Sequence, residues 1–468
     1  MKALTLAHFL PPRLAAGLLL AVALACAADE ANIPASGSAL AVYQPAVTRL
    51  IDAAIASDSA KRRLAELCDR FGPRFSGSTN LELAIDWIIS QMKADGLENV
   101  HGEPALVPHW VRGAESLEII EPRAETLPLL GLGGSIGTPP EGVTASVLVV
   151  RSFAELKDRA AEAKGRIVVF NAPFTQYGET VAYRADGASE AARAGAVACL
   201  VRSVTPLALR LPHTGAMRYN PAVPKIPSAA ITVEDAERFQ RFQERGESIT
   251  LRLKMEARTL PDSLSRNVIG EIVGREKPEE VVVVSGHIDS WDVGQGAQDD
   301  GGNSVAAWEA VRLMHRLSLR PRRTVRVILW TNEENGTRGA KAYVADHRAS
   351  LTNHVMAIEA DEGTFRPLGF GFAGSEPALA TLRQITQLCG ALGPLQVTKG
   401  AFAADAGYLQ NEGVPMLDLK VEDSRYFWYH HTAADTADKV DAKDLSQCAA
   451  ALAAMCYVVA EMPERLSR

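Results

Sequence analysis

The stretch Val281-Val282-Val283-Val284-Ser285-Gly286-His287-Ile288-Asp289 decides the fold of this chain. Four consecutive valines are typical of a strand that is buried on both faces, as in a parallel sheet covered by helices. From residue 266 onward, similar apolar runs alternate with segments of helical periodicity. We therefore predict an α/β fold with three α/β/α layers around a mostly parallel sheet.

The C-terminal half is predicted to contain five strands and four long helices. The strands are predicted over 267–272, 281–285, 324–331, 354–360 and 414–420, and the helices over 302–317, 339–347, 376–390 and 444–460.

Acidic and histidine residues follow three of these strands directly. They are His287, the pair Glu333 and Glu334, and Asp361. Ligand sites in open α/β sheets lie outside the carboxyl ends of the strands. We therefore expect these side chains to share one site.

Five motifs contain the candidate site residues. They are Gly286-His287-Ile288-Asp289, Asp299-Asp300-Gly301-Gly302, Asn332-Glu333-Glu334-Asn335, Glu359-Ala360-Asp361-Glu362 and His430-His431-Thr432-Ala433-Ala434-Asp435-Thr436. Each motif alone is also compatible with a turn, a helix cap or a solvated charge pair. Brought together without a cation, these carboxylates would repel one another strongly.

Imidazole nitrogen and carboxylate oxygen are zinc ligands, and two zinc ions roughly 3.5–4 Å apart need a bridging ligand. Asp299 is the predicted bridge, because a carboxylate has two oxygens and the glycines that follow permit close backbone approach. We assign one ion to His287, Asp299 and Asp361. The second ion is assigned to Asp299, Glu334 and His431.

Glu333 is then the spare carboxylate. It is predicted to take a proton from the water that bridges the ions and to pass it to the leaving amine. Asp289 is predicted to accept the second imidazole N–H of His287, and Asp435 to do the same for His431.

The N-terminus has the layout of a secretory signal peptide over residues 1–27. Lys2 and Arg13 precede the apolar run 14–24, and Ala25-Cys26-Ala27 is a small-residue cleavage signal. The run is too short for a comfortable membrane span. We predict a secreted or periplasmic protein. Lipid anchoring at Cys26 is the less favoured alternative.

The remaining chain allows more than one domain. Residues 33–112 and 259–468 are assigned to a catalytic domain, and residues 113–258, in which short strands alternate with helices, to an inserted α+β domain. The formal net charge is −7 with no basic stripe, so nucleic acid is not expected as a partner. No other stretch suits a transmembrane segment. The five cysteines after the predicted signal peptide have no CxxC spacing, which indicates buried free thiols.

In this order, the five motifs resemble those of the co-catalytic dinuclear zinc exopeptidases, which include bacterial leucyl aminopeptidases and glutamate carboxypeptidase II. Further stretches resemble the carboxypeptidase Q branch of that family. They are Gly72-Pro73-Arg74-Phe75-Ser76-Gly77-Ser78, Val107-Pro108-His109-Trp110-Val111-Arg112-Gly113, the run 285–294, Pro212-His213-Thr214-Gly215 and Tyr426-Phe427-Trp428-Tyr429-His430-His431.

The resemblance implies a phosphorylase/hydrolase-like catalytic domain, an inserted protease-associated domain, two Zn²⁺ ions and a homodimer. It selects His431 over His430 as the ligand, and it agrees with Asp299 as bridge and Glu333 as base. It also implies hydrolysis of dipeptides or short peptides with free termini. From position alone, His430, Tyr429 and Asp405 are candidate substrate contacts.

Three alternatives remain at this point. An aminopeptidase of the same family is the main one. A non-catalytic receptor on the same scaffold is less favoured, because Glu333 and all five predicted ligands are present. A glutaminyl-cyclase-like enzyme would use a single zinc ion.

Overall fold

A computed structural model describes residues 39–468, and residues 40–468 form one compact unit. The predicted signal peptide and Cys26 lie outside the described residues.

Strands are numbered along the chain, and eight of them form the first sheet. They are β1 (Glu98–Val111), β10 (Arg258–Ile272), β11 (Lys277–His287), β12 (Arg323–Trp330), β13 (His354–Glu359), β14 (Pro367–Ala373), β15 (Gln396–Lys399) and β16 (Met416–Val421). Their order across the sheet is β1-β10-β12-β11-β13-β16-β14-β15.

The first sheet is parallel in its centre and contains antiparallel pairs on both sides of that centre. Strands β12, β11, β13 and β16 run parallel, whereas β1, β10 and β12 pair antiparallel, as do β14 and β16. Strands β14 and β15 also pair parallel, so four of the seven neighbouring pairs in this sheet are parallel among the described residues. The prediction of a mostly parallel sheet therefore holds, with antiparallel pairs on both sides of the centre. The short connection 360–366 explains the direction of β14, because a parallel return needs a crossover of a dozen or more residues.

Helices cover both faces of this sheet. They are α1 (Gln44–Ile55), α2 (Ser59–Phe71), α3 (Thr79–Ala94), α8 (Gly302–Arg316), α9 (Arg338–His347), α10 (Glu376–Gln387), α11 (Ala406–Asn411), α12 (Tyr426–Tyr429) and α13 (Ala442–Glu461). Val282 and Val284 belong to one hydrophobic core, and Val281 and Val283 to another. This alternation confirms that the valine strand is buried on both faces.

In the C-terminal half, strands β14 and β15 are not among the predicted ones. Gly369 and Gly371 weaken the strand pattern of β14. A Cβ at Gly369 would lie 1.9 Å from the Gln396 carbonyl oxygen, and one at Gly371 would lie 2.1 Å from Asp418 Oδ1. These glycines therefore permit close contacts with neighbouring strands that a sequence pattern does not reveal.

The second sheet is built from residues 115–255. Its strands are β2 (Glu115–Glu121), β3 (Glu125–Leu127), β4 (Leu129–Gly131), β5 (Val143–Val150), β6 (Ile167–Phe170), β7 (Ala198–Arg202), β8 (Ser228–Ile231) and β9 (Thr250–Met255), in the order β3-β2-β9-β5-β6-β7-β8-β4. Its helices are α4 (Phe153–Asp158), α5 (Ala160–Ala163), α6 (Tyr177–Arg193) and α7 (Val233–Glu244).

The chain enters and leaves this second sheet at neighbouring points, since Val111 of β1 pairs with Arg258 of β10. Its core also includes Trp110 and two aromatic residues from loops beside the first sheet, Phe75 and Trp291. The ring centroids of Phe75 and Trp291 are 4.7 Å apart. The second sheet is thus anchored on the loop that follows β11.

All five cysteines that the structure describes are buried and free, as predicted: Cys68, Cys199, Cys389, Cys448 and Cys456. Within residues 39–468, no helix combines the length and the apolar character needed to cross a bilayer.

His354, at the start of β13, makes stability depend on pH. Its Nε2 accepts a hydrogen bond from Tyr343 Oη at 2.8 Å, and burial, helped by Arg326, lowers its pKa to about 4. Between pH 6.5 and about pH 4, the imidazole is protonated in the unfolded chain but neutral in the folded chain. The free energy of unfolding therefore decreases as the pH falls through this range. We expect this residue to account for about 2 kcal/mol of the stability lost between pH 7.5 and pH 5.

Chemical denaturation of wild type and His354→Gln at both pH values measures this contribution. The variant should lose about 2 kcal/mol less than wild type on acidification. Tyr343→Phe is the control, because it removes the same hydrogen bond but keeps the imidazole. Equal losses in wild type and His354→Gln would contradict the prediction.

Candidate metal centre

The predicted ligands meet at the carboxyl ends of the central strands. His287 is the last residue of β11, Glu333 and Glu334 lie in the turn after β12, and Asp361 follows β13 by two residues. Asp299 lies in the kinked segment Ala297–Gly301 that leads into α8, where the backbone of Asp299 and Asp300 is not helical. The parallel centre of the sheet therefore brings these residues to one edge, as expected.

Asp299 lies between the two histidines. Its Oδ1 is 3.2 Å from His287 Nε2, and its Oδ2 is 3.2 Å from His431 Nε2. His287 Nε2 is also 3.2 Å from Asp361 Oδ1, and His431 Nε2 is 3.0 Å from Glu334 Oε2. The five residues thus form two groups of three that share one carboxylate.

The neighbouring His430 is the other imidazole that a metal could use here. Its ring stacks on His431 with centroids 3.5 Å apart, and its Nε2 is 3.7 Å from Asp299 Oδ2. His430, His431 and Asp299 are close enough to hold an ion. His431 is nearer to Asp299 and also contacts Glu334, so the distances favour it as the ligand.

Asp435 fixes the backbone of the bridging residue. Its carboxylate accepts hydrogen bonds from the N–H groups of Gln298 (2.7 Å) and Asp299 (3.1 Å). The prediction that Asp435 holds the second nitrogen of His431 is wrong. His431 Nδ1 instead lies 3.2 Å from the carbonyl oxygen of Thr214, which comes from the second sheet's part of the chain.

Asp289 also acts differently from the prediction. His287 Nδ1 is 3.0 Å from the backbone oxygen of Asp289 and 3.7 Å from its carboxylate, so the carbonyl is the hydrogen-bond acceptor. The carboxylate accepts the N–H groups of Glu333 (3.0 Å) and Glu334 (3.4 Å). The Asp289 side chain therefore points to the turn after β12 and orients the glutamate pair.

Two glycines allow these loops to approach closely. A Cβ at Gly302 would lie 2.1 Å from Thr364 Oγ1, which supports the predicted need for small residues after Asp299. A Cβ at Gly286 would lie 2.5 Å from Asp300 Oδ2. Because Gly286 has no side chain, Asp300 Oδ2 can approach and accept a hydrogen bond from the N–H of His287 at 2.9 Å.

Arg74 joins the two loops that carry His287 and Asp299. It is fully buried, and its guanidinium donates to the carbonyls of Ile288 (2.8 Å), Gln295 (2.6 Å) and Gly296 (2.9 Å). The sequence showed Arg74 only as part of a family motif. Its role depends on carbonyls more than 200 residues away, which no local pattern reveals.

The site buries several carboxylates close together, and the pKa shifts of its residues indicate a need for positive charge. Burial would raise the pKa of Asp299, but contacts with His287 and His431 lower it well below its ordinary value. Burial opposes protonation of His287, yet Asp361 and other carboxylates raise its pKa well above the usual range. Burial also raises the pKa of Glu334, and Asp299 adds to that shift. Positive charge at this position would therefore be strongly stabilised.

The donor set suits zinc. His287 Nε2, Asp299 Oδ2 and Glu334 Oε1 are buried without a hydrogen-bond partner among the described residues. Buried polar atoms normally have partners, and a metal ion would supply one to each of them. Imidazole and carboxylate ligands are those that zinc accepts in proteins.

A cavity of about 420 Å³ opens beside the carboxylates. Its lining includes the predicted residues Asp299, Glu333, Glu334, Asp361, His430 and His431. It also includes Tyr177, Arg184 and Phe402, which sequence reasoning missed, and Tyr426 and Phe427, which it had noted only as part of a family stretch. The predicted contacts Tyr429 and Asp405 are not part of this lining. Asp405 is fully buried just before α11, where its N–H donates to Glu359.

The model of peptidase family M28 matches residues 267–456, which carry all five motifs. Carboxypeptidase Q of Homo sapiens is 49% identical over 413 residues, which are 88% of this chain and 88% of that protein. This chain belongs to peptidase family M28. The predicted resemblance is confirmed, and the M28 peptidase described here is a zinc metallopeptidase. The receptor alternative is therefore set aside.

Solved structures agree with this placement. A peptidase M28 precursor from Shewanella amazonensis SB2B superposes with a TM-score of 0.88 at 32% identity, over 91% of this chain and 98% of that one. A zinc aminopeptidase from Bacillus subtilis superposes with a TM-score of 0.67 at 21% identity, over 87% of this chain and 96% of that one. The likeness to the Bacillus subtilis aminopeptidase shows that this chain and that enzyme share a fold.

Proposed function

We propose that this M28 peptidase is a dinuclear zinc exopeptidase that hydrolyses dipeptides and short peptides with free termini. The observation that carries the proposal is the position of Asp299, whose two oxygens each lie 3.2 Å from a different histidine. A shared carboxylate between two ligand groups is the arrangement that a two-metal site requires.

In this proposal His287, Asp299 and Asp361 hold one ion, and Asp299, Glu334 and His431 hold the other. Bound zinc supplies Lewis acidity, which polarises the scissile carbonyl and favours deprotonation of the attacking water. Asp435 holds the backbone of Asp299, and the Thr214 carbonyl holds the ring of His431. These contacts keep the bridging carboxylate and the second histidine in position.

Glu333 is proposed as the general base. It lines the cavity, and its N–H is held by Asp289 Oδ1 at 3.0 Å. Burial raises its pKa well above the usual value, and Asp361 and Glu334 add to the shift. A carboxylate with a raised pKa takes up a proton readily, so Glu333 is suited to accept one from water and return it to the leaving amine nitrogen.

The second sheet is proposed to be an inserted protease-associated domain. It is contiguous in the chain, and it contributes Tyr177 and Arg184 to the cavity wall. Secretion through the signal peptide and the homodimer implied by the resemblance stay predictions.

An aminopeptidase is the second candidate. The acidic side chains Glu362 and Asp423 line the cavity and could attract a substrate's free amine. A panel of dipeptides with either terminus blocked separates the two possibilities, because an aminopeptidase tolerates a blocked carboxylate.

Metal removal tests the proposal. We expect the purified protein to carry about two zinc ions per chain, and chelation to abolish dipeptide hydrolysis. Stepwise addition of zinc to the stripped protein should restore activity only as the second equivalent binds. Full activity at one equivalent, measured by elemental analysis and initial rates, would contradict a two-ion mechanism and favour a single-zinc enzyme.

A further inference from the structure

The loop between β7 and β8 reaches from the second sheet to one of the two proposed metal-ligand groups. Within this loop, Thr214 contacts His431 at two points. The Thr214 N–H donates to the His431 carbonyl at 3.0 Å, and the Thr214 carbonyl lies 3.2 Å from His431 Nδ1. One residue from the second sheet's part of the chain therefore holds both the backbone and the ring of a proposed zinc ligand.

His431 needs this support because its backbone is strained. Its φ is 62°, in the left-handed region that residues other than glycine rarely adopt. Such conformations persist only where the surrounding contacts enforce them. We therefore expect the two contacts with Thr214 to keep the imidazole directed at Asp299 and Glu334, which lie 3.2 and 3.0 Å from its Nε2.

His213 supports the same segment from the neighbouring position. It is 3% exposed, its N–H donates to Ser203 Oγ at 2.9 Å, and its imidazole forms a hydrogen bond with the backbone of His430. Its Nδ1 is buried without a hydrogen-bond partner among the described residues. A buried nitrogen without a partner lowers stability, so packing alone does not explain a histidine here. Its contact with the residue next to the ligand does.

The other ligand group has no such support from the second sheet. His287 Nδ1 is 3.0 Å from the Asp289 carbonyl, and the His287 N–H donates to Asp300 Oδ2 at 2.9 Å. Within residues 39–468, no hydrogen bond joins His287 or Asp361 to the second sheet's part of the chain. The two ligand groups therefore differ in what holds them.

We infer that His213 and Thr214 are positioning residues for the ion assigned to Asp299, Glu334 and His431, here called the second ion. Retention of this ion, and not of the first, then depends on the packing of the β7–β8 loop against His430 and His431. This inference rests on the proposed function and extends it to how each ion is held.

Zinc affinity measured against a competing chelator tests the inference. His213→Phe keeps a ring of similar size without the hydrogen bond, and it should weaken one of two binding steps by about 10- to 100-fold and leave the other unchanged. His213→Gln retains a donor and should recover most of that affinity. His354→Phe is the matched control, because it alters another buried histidine at the far end of β13 from Asp361, and it should keep both steps.

A double variant identifies the ion that is lost. Asp361→Ala should retain only the second ion, so adding His213→Phe to it should weaken binding of that remaining ion by the same 10- to 100-fold, roughly. Excess zinc should restore kcat for dipeptide hydrolysis in His213→Phe to near the wild-type value, because the ligands and Glu333 are unchanged.

Thr214→Val keeps the test decisive if His213→Phe folds poorly. It retains the backbone contacts with His431 but removes the hydroxyl that donates to the Gly131 carbonyl at 2.8 Å. The same binding step should weaken by about threefold to tenfold.

Wild-type affinity for both ions in the His213 and Thr214 variants would overturn the inference. An equal loss of both ions would also overturn it, because it would indicate a general loosening of the site. In either case, an active wild type with two zinc ions still supports the proposed function. A wild type that is fully active with one ion would contradict the proposed function itself.

Discussion

Glu333→Gln is expected to lower kcat for dipeptide hydrolysis by about 1,000-fold while both zinc ions stay bound. The substitution keeps the size of the side chain and its anchored N–H, but an amide cannot take a proton from water. In the proposed ligand groups Glu333 contacts neither histidine, whereas Glu334 lies 3.0 Å from His431.

The neighbouring glutamate therefore provides the matched comparison. Glu334→Gln should lower zinc content as well as rate, and added zinc should rescue part of its activity. Steady-state kinetics with elemental analysis of both variants separates the two roles. Near wild-type turnover by zinc-loaded Glu333→Gln would rule out Glu333 as the base.

Asp299→Ala is expected to remove both ions at once. Its two oxygens face His287 and His431 separately, so its loss leaves each proposed ion with only two protein ligands. Zinc content should fall from about two to well under one per chain, and hydrolysis should become undetectable, because neither water activation nor carbonyl polarisation remains.

Asp361→Ala is the control for this prediction, since Asp361 contacts only the His287 side of the site. It should retain about one zinc ion, bound by Asp299, Glu334 and His431. Titration with zinc and elemental analysis distinguish the variants. If Asp299→Ala and Asp361→Ala lose the same amount of zinc, Asp299 does not bridge.

The ligand set could be predicted because each ligand follows a recognisable strand or belongs to a short motif. The valine run before His287 indicates a strand buried on both faces, and a parallel sheet aligns the ends of such strands. Five ligands and the spare glutamate could therefore be named before their distances were known. The choice between His430 and His431 came from family resemblance, and the distances to Asp299 and Glu334 agree with it.

The hydrogen-bond partners of these residues were predicted less well. Asp289 and Asp435 were expected to hold imidazoles, but both bind backbone N–H groups. Sequence spacing places an acid near a histidine without giving the direction of its side chain, which depends on how the loop turns.

The sequence by itself determined the α/β class, the strands that end at the site and the identity of the candidate ligands, because these depend on local periodicity and on residue chemistry. Only the tertiary structure decided what surrounds them. Arg74, Arg184 and Thr214 reach the site from more than 200 residues away in the chain. The contacts of Arg184 and Thr214 are set by the packing of the second sheet's part of the chain against the first, and those of Arg74 by the packing of the loop before α3 against the loops after β11. Packing between distant segments leaves no periodic pattern in either segment.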